Sequence, residues 1–163
     1  MASFADAVQG FVSLVARLAI AAIFLLSAVG NKIPQFKQTA EYMASEGVPN
    51  PTFALFGAIG LLLIGGISVI LGAWTRFGAI FLLVFLAAAT WYFHDFWKFA
   101  DAGQRQLQTI QFMKNLAIGG GLLSLVAFGG GPWSVDGWIG KRQAESETAA
   151  AKPARTAARA PQA

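Results

Sequence analysis

Residues 17–49 read RLAIAAIFLLSAVGNKIPQFKQTAEYMASEGVP. The apolar run that this stretch completes covers residues 11–30 and ends at Gly30-Asn31-Lys32. Twenty residues suffice to cross a hydrocarbon core of roughly 30 Å as a helix. Lipid offers no partner for a free backbone N–H or C=O, so helix is the expected form. Pro34 ends any continuation. In residues 35–46, Phe36, Ala40 and Met43 fall on one side and Lys37, Gln38, Glu41 and Ser45 around the rest, which is helical spacing. Gly47 is a stop signal, with Pro49 and Pro51 beyond it. The stretch therefore predicts a spanning helix followed by a short amphipathic helix on the membrane surface. A plain connecting loop is the other reading of residues 35–46.

The rest of the chain repeats the theme. Residues 53–73 form a second apolar span, with small residues four apart (Ala54 and Ala58, Ser68 and Gly72) that let helix backbones approach closely. This helix is expected to pack on two sides. Trp74, Thr75 and Arg76 form a tight turn, so the third span, residues 77–93, runs antiparallel beside it. Its far end is a dense aromatic belt containing Trp91, Tyr92, Phe93, Phe96, Trp97 and Phe99. Residues 100–109 read as a polar loop and residues 110–128 as a fourth span. Gly129-Gly130-Gly131-Pro132 breaks it, and residues 133–138 read as an interfacial return. The predicted class is all-α: a polytopic four-transmembrane-helix bundle with a short external amphipathic helix. The predicted divisions are a lead (residues 1–10), the membrane domain (11–140) and a disordered basic Ala/Pro-rich tail (141–163).

Composition narrows the function classes. Hydrophobic residues make up 56% of the 163 residues and charged residues 12%, against about 25% charged in soluble domains. The absence of cysteine excludes disulfides and thiol chemistry. One histidine argues against a His-rich metal or haem site. The net charge of +4 forms no continuous basic face, so nucleic acid is not expected as a partner and membrane lipid is. The segment before the first span carries Asp6 and no Lys or Arg, and Arg17 interrupts the span, so it reads as retained rather than cleaved. Gly119 to Gly121 lies inside an apolar span with no Lys-Ser/Thr signature, so it is not a phosphate loop.

Four spans put both termini on one side, with Arg76, Lys141, Arg142, Lys152, Arg155 and Arg159. Lys32, Lys37, Lys98 and Arg105 fall on the other. The positive-inside rule then places both termini in the cytoplasm.

Ionisable groups beside spans are functional candidates. Asn31, Lys32, His94, Asp95, Lys114 and Asn115 all fall at one membrane level on the external side, ringed by Trp91 and Trp97. If they converge, a cationic pocket with aromatic walls suits an anionic or quinone-like ligand. His94 is a candidate proton carrier, since free imidazole ionises near neutrality. Asp95 follows it directly and points elsewhere, so the two are not read as a dyad. The plainer readings are that Lys32 and Lys114 snorkel to headgroups and that the aromatics are only a belt. Arg17 lies about two turns into the first span. It either pairs with Asp136 or reaches the headgroups.

Taken together, these pieces resemble the DoxX family of small four-helix membrane proteins. The matching points are Arg17-Leu18, Phe24 to Lys32 (FLLSAVGNK), Gly47-Val48-Pro49, Gly65-Gly66, Leu71-Gly72, Thr75-Arg76, His94-Asp95-Phe96-Trp97, Lys114-Asn115-Leu116 and Ser134-Val135-Asp136. Many family members carry a Glu in the second span shortly before the glycine pair. Here that stretch is Leu61-Leu62-Leu63-Ile64. The resemblance implies a bacterial plasma (inner) membrane location. It also implies that some relatives serve sulfur-compound oxidation with quinone as acceptor, and others redox-stress complexes with soluble partners.

The leading functional expectation is a non-catalytic membrane subunit or anchor of a redox or detoxification complex, not an enzyme on its own. Its partner would be a redox protein, with homo-oligomerisation as a further association. The alternative is a quinone-binding oxidoreductase subunit of thiosulfate:quinone type, with quinone as the candidate cofactor. The third reading is a small transporter or lipid-handling protein.

Overall fold

A computed structural model describes the backbone of residues 4–158 and the side chains of residues 4–150. Six α-helices make up the described chain: α1 (Phe4–Ser27), α2 (Phe36–Ser45), α3 (Pro51–Leu71), α4 (Thr75–Phe93), α5 (Ala102–Phe128) and α6 (Val135–Ala158). A π turn, Ala28–Lys32, extends α1, and a 3₁₀ turn, Phe96–Lys98, precedes α5. Four segments are long and apolar enough to cross a membrane: Phe4–Lys32, Pro51–Leu71, Thr75–Lys98 and Ala102–Phe128. The chain is thus the all-α, four-span protein that its hydropathy pattern predicts.

Two segments differ from expectation. Residues 100–109, read as a loop, are mostly the first turns of α5. The Asp101 side chain accepts the Gln104 N–H at 2.8 Å, and this N-cap starts a helix that stands above the apolar span. The tail, read as disordered from Lys141, is helical as far as Ala158. It has no large apolar residue to bury beyond Lys141, and the helix there rests on Ala, Glu, Gln, Lys and Arg, which are strong helix formers. Residues 1–3 of the lead and 159–163 of the tail, Arg159 among them, lie outside the described residues, as do the side chains of Lys152 and Arg155.

Helix α3 packs between α1 and α4, and α4 between α3 and α5. Gly65 and Gly66 make this possible. A Cβ on Gly65 would stand 2.9 Å from the Gly78 carbonyl oxygen of α4, and one on Gly66 would stand 2.6 Å from the Leu25 side chain of α1. Two adjacent glycines thus serve two different neighbours, and α3 packs on two sides as expected. Ala21, Phe24, Leu62, Val69, Leu82, Leu86, Leu122 and Leu125 form the core. Leu62, in the acid-free stretch before the glycine pair, is fully buried in it. A smaller cluster of Met43, Val48 and Leu55, flanked by Phe36, Tyr92 and Phe93, fastens α2 across the loop end. Helix α2 is therefore docked on the bundle, with Tyr42 stacked on Phe93 at 5.4 Å.

At the end that carries both termini, Arg17 is fully buried. Its Nη1 donates to the carbonyls of Val69 (3.2 Å) and Ile70 (2.9 Å) in the last turn of α3, and its Nη2 donates to the Trp133 carbonyl. A cation at a helix C-terminus meets the negative end of the helix dipole. Asp136 does the converse at the start of α4. Its Oδ1 accepts the Trp74 N–H at 2.8 Å, and its Oδ2 accepts the Thr75 N–H and hydroxyl, both at 2.9 Å. The two expectations for Arg17 are both replaced: it grips carbonyls rather than Asp136 or headgroups, and Asp136 acts only as a nearby charge. Residues 133–136 thus tie α1, α3 and α4 together. Gly72, at φ +66°, makes the sharp exit from α3 that brings Trp74 and Thr75 onto Asp136.

Candidate functional site

The loop end holds a cavity of about 360 Å³ between the π turn, α2, α4 and α5, within the size range of small-molecule sites. Its first polar wall comes from the π turn. The Ile33 N–H bonds to the Ala28 carbonyl, five residues back, at 2.9 Å. This wide turn brings together residues five apart, so Lys32 Nζ donates to Ser27 Oγ at 2.7 Å. The ammonium also lies over the Phe85 ring, 5.4 Å from its centroid, a cation–π contact. Lys32 is therefore half-buried and turned inward instead of snorkelling outward.

The second wall is the end of α4 with the upper turns of α5. His94 ends α4, and its Nδ1 lies 2.9 Å from Gln108 Oε1; with the proton on Nδ1, the ring donates. Asn115 Nδ2 donates to Thr90 Oγ1 at 2.9 Å, and the Thr90 hydroxyl donates to the Leu86 carbonyl at 2.6 Å. The roof is α2, through Thr39, Tyr42 and Met43. The floor is apolar: Phe24, Phe85, Leu86 and Ile118. Burial, then the charge and hydrogen bond of Glu46, then Asp95, push the Tyr42 phenol above its ordinary value, so it remains a neutral O–H.

Of the eight residues singled out from the sequence, the structure brings Asn31, Lys32, His94 and Asn115 to this cavity. Asn31 lies at its rim and is exposed. Lys114 is exposed and does not line it, because one residue along α5 turns the side chain by about 100°. Asp95 is buried but pairs with Lys98 across the 3₁₀ turn, outside the cavity. Trp91 and Trp97 stand on the far side of Asn115, where with Phe112 they line a separate, lipid-side groove of about 450 Å³. The expected aromatic walls thus belong to a second groove, and the ring that lies beneath Lys32 is Phe85.

Sequence reasoning missed Ser27, Thr39, Tyr42 and Phe85. A signal existed for part of this set. Thr39, Tyr42 and Met43 fall at helical spacing on one face of α2, but nothing local says that this face turns down onto the bundle.

A profile of the DoxX family matches residues 12–95. The chain belongs to the DoxX family. Inner membrane protein YqjF of Escherichia coli (strain K12) is 35% identical over 129 residues, covering 79% of this chain and 92% of YqjF. Inner membrane protein YphA of the same organism is 32% identical over 124 residues, covering 76% of this chain and 86% of YphA. No solved structure matches. The family match spans α1 to the end of α4, so it includes Arg17, Lys32 and His94, while Asn115 lies beyond it.

Proposed function

We propose that this DoxX-family inner-membrane protein holds a quinone-like amphiphile at the external end of its bundle, as a membrane subunit of a redox or detoxification complex. The observation that carries the reading is the Lys32 ammonium, turned into a 360 Å³ cavity with an apolar floor. A charged group is costly to bring inside a membrane bundle, so its presence there calls for a ligand or a task. The polar groups of the cavity are Lys, His, Asn, Tyr, Thr and Ser, all of types able to donate a hydrogen bond. They suit a flat ring bearing acceptor oxygens, with its apolar body against Phe85, Leu86 and Ile118. The set holds and orients; it contains no nucleophile activated by a base, so the role is that of a binding subunit and the electron donor is a partner protein. Arg76, Lys141 and Arg142 at the termini end support a cytoplasmic placement of both termini.

The test is quinone content. Protein purified from native membranes in mild detergent is expected to carry quinone, and Lys32→Ala or His94→Ala to lower its occupancy several-fold. Equal quinone content in the wild type and both variants would refute the reading. A redox protein retained at stoichiometric amount by tagged protein is the expected partner; a protein that comes down alone refutes the complex.

A further inference from the structure

A second cavity, of about 920 Å³, opens at the opposite end of the bundle between the start of α4, the end of α5 and the first turns of α6. Gly137, Gly140, Lys141 and Ala144 of α6 line it. They are spaced by three and four, so they share one helix face. Three of them are small, which keeps the space open, and Lys141 is the one long side chain on that face. Across the gap stands Arg76 of α4, exposed, with one donor reaching the Ala127 carbonyl at 3.3 Å. Asp136 also borders the cavity, but both its oxygens are taken by Trp74 and Thr75. The lining sets two cations, Arg76 and Lys141, against the one carboxylate of Asp136, which stays charged, so its net charge is positive. Its rim is Trp74, Phe77 and Phe128, all largely exposed. They stand at the ends of spanning helices, the level at which aromatic rings meet the membrane–water interface.

The geometry points to a binding site for one anionic phospholipid. The headgroup phosphate sits between Arg76 and Lys141, and the upper acyl chains lie against Phe77 and Phe128. A free phosphate would satisfy the cations but leave the three exposed rings unused. A zwitterionic lipid brings an ammonium that Arg76 and Lys141 repel. The site is at the other end of the molecule from the quinone cavity and does not depend on that reading.

The test uses the full chain in phosphatidylcholine nanodiscs doped with phosphatidylglycerol, with retained lipid counted by native mass spectrometry. The wild type is expected to keep one phosphatidylglycerol with about tenfold preference over phosphatidylcholine. The double variant Arg76→Gln, Lys141→Gln is expected to lose the preference while melting like the wild type in phosphatidylcholine alone. If it melts lower, Lys141→Gln by itself decides, since that side chain is exposed. Lys37→Gln, at the opposite end, should leave the preference intact; an equal loss there would mean unspecific charge and overturn the site. Equal retention of both lipids by the wild type would overturn it too, and leave the groove to an acidic protein segment. Displacement of the lipid by millimolar inorganic phosphate would overturn it in favour of a free anion.

Discussion

The two ends of the bundle handle buried charge in opposite ways. At the termini end, Arg17 and Asp136 are held almost wholly by backbone: helix C-terminal carbonyls for the one, helix N-terminal amides for the other. At the loop end, Lys32 has one hydroxyl and one aromatic face, and the rest of its ammonium looks into a cavity. A charge whose partners are fixed backbone groups stabilises a fold. A charge whose partners are incomplete is available to a ligand. A fully buried arginine and a half-buried lysine at opposite ends of one bundle therefore do two kinds of work.

This contrast can be broken most severely at Arg17. Arg17→Ala removes charged hydrogen bonds from the ends of α3 and the 133–136 turn, each worth about 1.5–3 kcal/mol. We expect a large fall in melting temperature in detergent. Arg17→Lys should rescue little, because an ammonium lacks the planar fork that reaches three carbonyls. A variant that melts like the wild type would deny the clasp.

A smaller loss is expected at Gly65. Gly65→Ala forces α3 away from the Gly78 carbonyl and should cost roughly 1–3 kcal/mol, read as a lower midpoint on thermal unfolding. An unchanged midpoint would mean that the helices can part freely there.

Asp136 gives the pH dependence. Burial raises its pKa, but the Thr75 and Trp74 amides, the Thr75 hydroxyl and then Arg17 outweigh this and hold it below the ordinary carboxylate value. With the folded pKa below an unfolded value of about 3.9, this contribution is complete above that pH and is lost as pH falls through the folded pKa. Asp136→Asn, which loses the charge and one of the two acceptor oxygens at a cost of about 1 kcal/mol, should flatten the acid limb of a melting-temperature profile. An acid limb identical to that of the wild type would remove Asp136 from the clasp.

The smallest effect on stability, and the sharpest on the comparison, belongs to Lys32→Met. Replacing an incompletely paired charge by an apolar chain of similar length should leave the melting temperature unchanged or raise it slightly, while lowering bound quinone. If Lys32→Met destabilises as Arg17→Ala does, the two ends are alike and the contrast fails.

The four spans, their order and the family were legible in the sequence, because apolar length and polar exits are local properties of the chain. So was the packing of α3 on two sides, although the contacts are made by the adjacent Gly65 and Gly66 and not by the small residues four apart. Asn31, Lys32, His94 and Asn115 were legible as a cluster through their common membrane level. Level along the bundle normal follows from counting residues, but rotation about a helix axis does not. That is why Lys114, Trp91 and Trp97 were assigned to the cavity while the packing turns them elsewhere, and why Phe85 and Tyr42 went unseen. The π turn that rotates Lys32 inward, the fold-back of α2 as a roof and the grip of Arg17 on carbonyls from α3 and residue 133 were decided by tertiary structure alone. The α2 roof, the Arg17 grip and the seat of Lys32 over Phe85 depend on contacts between segments distant in the chain, and backbone carbonyls, present at every residue, leave no mark in a sequence.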